Sequence, residues 1–132
     1  MKFNHIGIIV KDLNLGLDFF KSFLEINDIT ETIVDEVLGV NIKFFKDSSG
    51  LQYELISPLN SKSPITQALE QNKNILNHVA YTSKNFDLDM KNIRKNKSII
   101  LGAPKKAKAF KNARVVFFLT TLGMIIELIE EY

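Results

Sequence analysis

Two stretches decide how this chain folds: HIGIIVKDLNL, from His5 to Leu15, and HVAYTSKNFDL, from His78 to Leu88. At an offset of 73 residues they align without a gap, Lys11 on Lys84, Asp12 on Asn85 and Leu15 on Leu88. FFKDSSGLQYELI, from Phe44 to Ile56, lies over FFLTTLGMIIELI, from Phe117 to Ile129, at the same offset. Phe44, Phe45, Gly50, Glu54, Leu55 and Ile56 coincide with Phe117, Phe118, Gly123, Glu127, Leu128 and Ile129. Two separated blocks that share one offset identify an internal duplication.

Each copy reads as βαβββ. Phe3 to Val10 is β-branched and alternating, with Ile6, Ile8 and Val10 on one face and His5 and Gly7 on the other. Asn14 is a candidate N-cap for a helix over Leu15 to Leu24, and Phe19, Phe20 and Phe23 read as its core stripe. Strands follow at Ile29 to Val34, Val40 to Phe45 and Leu51 to Ile56, the last after a turn at Asp47-Ser48-Ser49-Gly50. A linker from Ser57 to Pro64 leads into a short helix, Ile65 to Gln71. The second copy gives a strand at Leu76 to Tyr81, a helix at Leu88 to Asn96 and a strand around Ser98 to Leu101. A basic loop and strands at Arg114 to Leu119 and Met124 to Ile129 complete it. The fold class is α+β. We expect one domain over residues 1–132, with module 1 at about 1–58, the linker and short helix at 59–74, and module 2 at about 75–132.

Composition narrows the function. The chain has 132 residues, 45% of them hydrophobic and 24% charged, which suits a globular domain rather than a disordered one. Seventeen Lys and Arg against fifteen Asp and Glu leave a formal charge of +2, too slight to point to nucleic acid or a membrane surface as partner. Cysteine is absent, which excludes disulfides, thiolate zinc sites and cysteine nucleophiles. No apolar run reaches the ~18 residues of a membrane span, and the start lacks a signal peptide's apolar core, so the expected location is the cytoplasm.

The duplication pairs the only two histidines, His5 with His78, and pairs Glu54 with Glu127. Each lies in an apolar strand, where a charged or half-protonated group is costly unless something compensates it. Alternation puts Glu54 with Gln52 and Ile56, opposite Leu51, Tyr53 and Leu55; Glu127 likewise opposes Ile126 and Leu128. A lone strand histidine is more often a satisfied core residue. Two imidazoles and two carboxylates in equivalent positions instead make a divalent-metal site, suited to Ni, Co, Zn, Mn or Fe and leaving two octahedral positions open.

These motifs (HIGIIVKDL, YELISP, HVAY and GMIIELIE) resemble the vicinal-oxygen-chelate superfamily, which includes glyoxalase I and methylmalonyl-CoA epimerase. The resemblance implies paired βαβββ modules forming a cupped, partly open, barrel-like sheet with helices outside. It places His5, Glu54, His78 and Glu127 on the metal-ligand positions, with Glu127 also the catalytic base. Epimerases of the family have Gln where Glu54 stands, whereas glyoxalases have Glu. The epimerases also carry a catalytic Glu after a Gly-Val pair; here Gly39-Val40 is followed by Asn41-Ile42, which puts Ile42 there. Asp35 and Glu36 read as uninvolved surface carboxylates.

The expected activity is therefore a metal-dependent lyase or isomerase of the glyoxalase type, moving a proton on a hemithioacetal or acyl-thioester through an enediolate. The alternatives are a methylmalonyl-CoA epimerase-like isomerase, a non-catalytic drug-sequestering binder and an extradiol-type dioxygenase. The segment from Pro104 to Arg114 carries five cations and no acid. It reads as a solvated loop, or as a lid over an anionic thioester or thiol adduct, with Arg114 and Lys111 as substrate contacts. A homodimer is the expected assembly.

Overall fold

A computed structural model describes residues 1–132 and contains ten strands and three α-helices. In chain order these are β1 (Lys2–Ile9), α1 (Leu13–Lys21), β2 (Ile26–Asn27), β3 (Ile33–Asp35), β4 (Val40–Asp47), β5 (Gln52–Pro58), α2 (Thr66–Glu70) and β6 (Leu76–Ser83). Then come α3 (Phe86–Lys95), β7 (Ile99–Ile100), β8 (Lys105–Ala107), a 3-10 turn (Lys108–Phe110), β9 (Ala113–Leu119) and β10 (Ile125–Glu130). The strands form a mixed sheet in the order β2-β4-β5-β1-β6-β10-β9-β7, with β3 also on β4 and β8 also on β9. The order does not close on itself. The chain divides into two compact units, His5–Asn77 and Met1–Asn4 with His78–Tyr132, and β1 contributes to both.

In the unit His5–Asn77, β1 runs parallel to β5 and β4 antiparallel to it. β2 and β3 both pair with the outer edge of β4. On one face, Leu13, Leu17, Phe45 and Leu55 form a core against which Phe20, Ile8 and Tyr53 pack. Phe45 lies stacked on Tyr53 at 4.9 Å. The other face carries His5, Gly7, Phe44 and Glu54, as strand alternation requires.

The second unit repeats this plan. β10 is parallel to β6 and antiparallel to β9, and β7 and β8 pair in tandem with the outer edge of β9. Phe86, Ile93, Val116, Phe118 and Leu128 form the helix-side core. His78, Ala80, Phe117 and Glu127 occupy the opposite face.

Several local expectations are corrected. α1 starts at Leu13, earlier than Asn14 implied, because the Asp12 carboxylate accepts a hydrogen bond from the Leu15 amide at 2.9 Å. Its buried stripe is Leu13, Gly16 and Leu17, with Phe20 packed behind it; Phe19 and Phe23 are 64% and 59% exposed, not core. Gly16 is required by packing, since a Cβ there would meet a Val10 methyl at 2.9 Å. The strand expected at Ile29 to Val34 is replaced by two short ones, β2 before it and β3 overlapping its end at Ile33 and Val34. The basic segment is not a loop throughout: β8 and the 3-10 turn order it against β9. Asp35, expected on the surface, is 1% exposed and accepts the Leu38 amide at 2.9 Å across the β3–β4 turn. No helix is long and apolar enough to cross a membrane.

Candidate metal centre

In the first unit the parallel register sets Gly7 beside Glu54, and His5 follows two residues earlier on the same face of β1. Phe44 stands directly opposite Glu54 on β4. Its ring meets the His5 imidazole edge-on, 5.5 Å between centroids and 81° between planes, which limits how far that imidazole can turn. His5 is fully buried and Glu54 nearly so. Nε2 of His5 lies 3.1 Å from Oε2 of Glu54, a hydrogen bond in which a protonated Nε2 donates to the carboxylate.

The second unit builds the same pair from the same positions. Ala80 lies beside Glu127, and Phe117 stands opposite it. Phe117 meets the His78 ring edge-on, 5.3 Å between centroids and 76° between planes. His78 and Glu127 are buried, and Nε2 of His78 approaches Oε2 of Glu127 to 3.4 Å. Neither phenylalanine that packs on an imidazole, buried Phe44 or half-buried Phe117, stands out as functional from the sequence. Their coincidence under the same 73-residue offset was the available signal.

Imidazole nitrogen and carboxylate oxygen at such range inside an apolar wall share either a proton or a cation. Each couple thus offers one imidazole nitrogen and one carboxylate oxygen that could serve as metal ligands. Two nitrogens and two oxygens fit the borderline divalent ions Zn, Ni, Co, Mn and Fe better than Ca or Mg, which prefer all-oxygen shells.

Of the expected substrate contacts, Arg114 alternates with Val115 and Phe117 and therefore faces α3, away from Glu127. Its guanidinium makes a two-pronged contact with Asp87 at 2.9 and 3.0 Å and also grips Glu130 at 2.9 Å. The Phe86 ring lies 4.6 Å below it. The two carboxylates raise the Arg114 pKa above its ordinary value, and Arg114 in turn lowers that of Glu130. This arginine is a clamp between strand and helix. Lys111 is exposed in a left-handed turn, φ 53°, with its Nζ 5.9 Å from the centre of the Tyr132 ring.

Residues 4–117 match the family model described as the glyoxalase/bleomycin resistance protein/dioxygenase superfamily. The chain belongs to this superfamily. Among curated superfamily proteins, the mitochondrial methylmalonyl-CoA epimerase of Mus musculus is 28% identical over 131 residues, covering 96% of this chain and 71% of the relative. Among solved superfamily structures, the methylmalonyl-CoA epimerase of Mycobacterium tuberculosis is similar with a TM-score of 0.83 at 21% identity, covering 99% of this chain and 88% of its own. A variant of the Streptomyces coelicolor methylmalonyl-CoA epimerase, solved with 2-nitronate-propionyl-CoA, has a TM-score of 0.79 at 22% identity, covering 99% and 97%. At that identity the two structures show a shared fold. The homologues are isomerases, so the family evidence supports an enzyme.

Proposed function

We propose that this protein is a metal-dependent isomerase of the methylmalonyl-CoA epimerase type, acting by proton transfer beside the carbonyl of an acyl-CoA thioester. The carrying observation is the pair of equivalent, buried His–Glu couples, His5–Glu54 and His78–Glu127, in a chain whose curated relatives are epimerases along 96% of its length. This favours the epimerase alternative over the glyoxalase-type lyase.

His5, Glu54, His78 and Glu127 would hold one divalent cation, which supplies Lewis-acid stabilisation of the negative charge that develops on the thioester oxygen. Glu127 takes the proton from the carbon beside the carbonyl. An epimerase must return a proton from the opposite side, which calls for a second acid. Ile42 offers none, being an apolar residue 3% exposed beside Ile56. Glu54, the duplicate of Glu127, is the carboxylate left for that step. Two carboxylates related by the duplication would thus replace the two-base arrangement that the resemblance leads one to expect at Ile42.

The test is NMR of the metal-loaded protein with methylmalonyl-CoA in deuterated water. Deuterium entering the α-carbon, with interconversion of the two epimers, supports the assignment. Turnover of methylglyoxal–thiol adducts without such exchange supports the lyase instead.

A further inference from the structure

The β8–β9 register pairs Lys105 with Val115 and Lys106 with Arg114. Residues opposite one another on neighbouring strands project from the same face. Val115 alternates with Phe117, which stands opposite Glu127, so Lys105 shares the face of Glu127. Lys106 shares the α3 face with Arg114. Among the strand residues from β6 to β10, Lys105 is the one cation on the Glu127 face. It is exposed and carries no ion pair.

The first unit treats the same position differently. Ile42 precedes Val115 by the repeat offset, and its partner on β3 is Ile33, so Ile33 takes the register position of Lys105. Around Glu54 that face is walled by Ile9, Ile42 and Ile56, all buried. The cation on that face, Lys46, reaches Asp28 at 3.5 Å. At this one register position the first copy therefore offers an apolar residue and the second an unspent positive charge, although Val115 and Ile129 keep the rest of the wall apolar.

We propose that Lys105 is a substrate-anchoring residue, which takes an anionic oxygen group of the molecule that Glu127 deprotonates; this rests on the isomerase reading above. Two strand spacings and two residues of strand separate the Cα atoms of Lys105 and Glu127 by roughly 12 Å. An extended lysine stem covers about half of that distance. The ammonium thus stops short of the reacting carbon but reaches a carboxylate or phosphate elsewhere on the same substrate. Its role is in binding, with the proton transfer left to Glu127. Lysines on an edge strand also discourage unwanted strand pairing, a task Lys105 and Lys106 would share equally. Only the anchoring role distinguishes the two neighbours.

The experiment compares Lys105→Ala, Lys105→Arg and Lys106→Ala in the metal-loaded protein, using methylmalonyl-CoA and its phosphate-free pantetheine thioester. Lys105→Ala is expected to raise KM about tenfold with kcat within about twofold. Lys105→Arg should restore most of the affinity, and Lys106→Ala should match the unaltered protein. A rise seen with both substrates assigns the anion to the acyl carboxylate; a rise confined to the CoA ester assigns it to the phosphates. Equal KM values for all variants, or equal rises in Lys105→Ala and Lys106→Ala, overturn the proposal. If the unaltered protein exchanges no α-proton, the isomerase reading fails, and calorimetry with malonyl-CoA decides for Lys105. A tenfold weaker Kd in Lys105→Ala supports the anchor, and an unchanged Kd refutes it.

Discussion

The two halves of this molecule are copies that kept their chemistry and let their surroundings drift. Both place a histidine against a glutamate from a parallel neighbouring strand, and both set a phenylalanine edge-on to the imidazole. Their supports differ. The first unit packs its helix on an aromatic cluster of Phe20, Phe45 and Tyr53, with ring centroids 4.9 to 5.9 Å apart. The second packs mostly aliphatic residues around Phe86 and Phe118, and adds the Arg114 clamp from β9 to α3. What is shared marks the site. What diverged marks the scaffold and, at Ile33 against Lys105, a division of labour toward substrate.

The largest expected effect breaks the chemical equivalence of the two carboxylates. Glu127→Gln should lower the rate of α-proton exchange about 10³-fold, as loss of a general base does. Glu54→Gln keeps an oxygen donor and resembles the residue family epimerases carry there, so we expect a loss nearer tenfold in exchange, with epimerisation falling further. Deuterium incorporation and epimer ratio, followed together by NMR, separate the two. Equal losses in both variants would make the copies equivalent and remove the special role of Glu127.

A smaller effect tests whether the two cores are equally load-sharing despite their different composition. Leu55 and Leu128 are repeat equivalents, and both are wholly inaccessible to solvent. Truncation of either to Ala should cost about 2–5 kcal/mol, read from the urea midpoint at unchanged slope. A much smaller loss in one would show that its unit collapses around the cavity.

The smallest effect concerns charge. Arg114→Ala should leave KM unchanged and cost about 1 kcal/mol or less, since its partners are substantially exposed. Both Glu130, through Arg114, and Asp47, through the Ser49 hydroxyl and the amides of Leu51 and Ser49, have pKa values lowered by folding. Carboxylates held down in this way stabilise the folded state above their unfolded pKa, and that contribution disappears as pH falls through the lower folded value. Thermal unfolding followed on acidification should therefore show a loss of Tm below the ordinary carboxylate range. Arg114→Ala should shrink the Glu130 part of that loss and leave the Asp47 part.

The duplication, the strand faces and the four His and Glu residues were legible in the sequence because β alternation and a constant offset are local properties of the chain. The helix start was not, because Asp12 and Asn14 both suit a cap; burial of Leu13 decides for Asp12. Phe19, Phe20 and Phe23 read as one helical stripe, but the buried stripe follows Leu13, Gly16 and Leu17 and leaves Phe19 and Phe23 outside. The face of Arg114 follows only when alternation is carried from Glu127 across to Phe117 and three residues back along β9. Asp35 and Lys105 lie on three-residue strands too short to show a period, so only pairing with β4 and β9 reveals which way they point.

The most direct test of the central claim is metal stoichiometry. Calorimetric titration of chelator-treated protein with Ni, Co or Zn should give one ion per chain, and His5→Ala and His78→Ala should each abolish that binding. Two independent ions per chain, or full binding after loss of either histidine, would contradict the account.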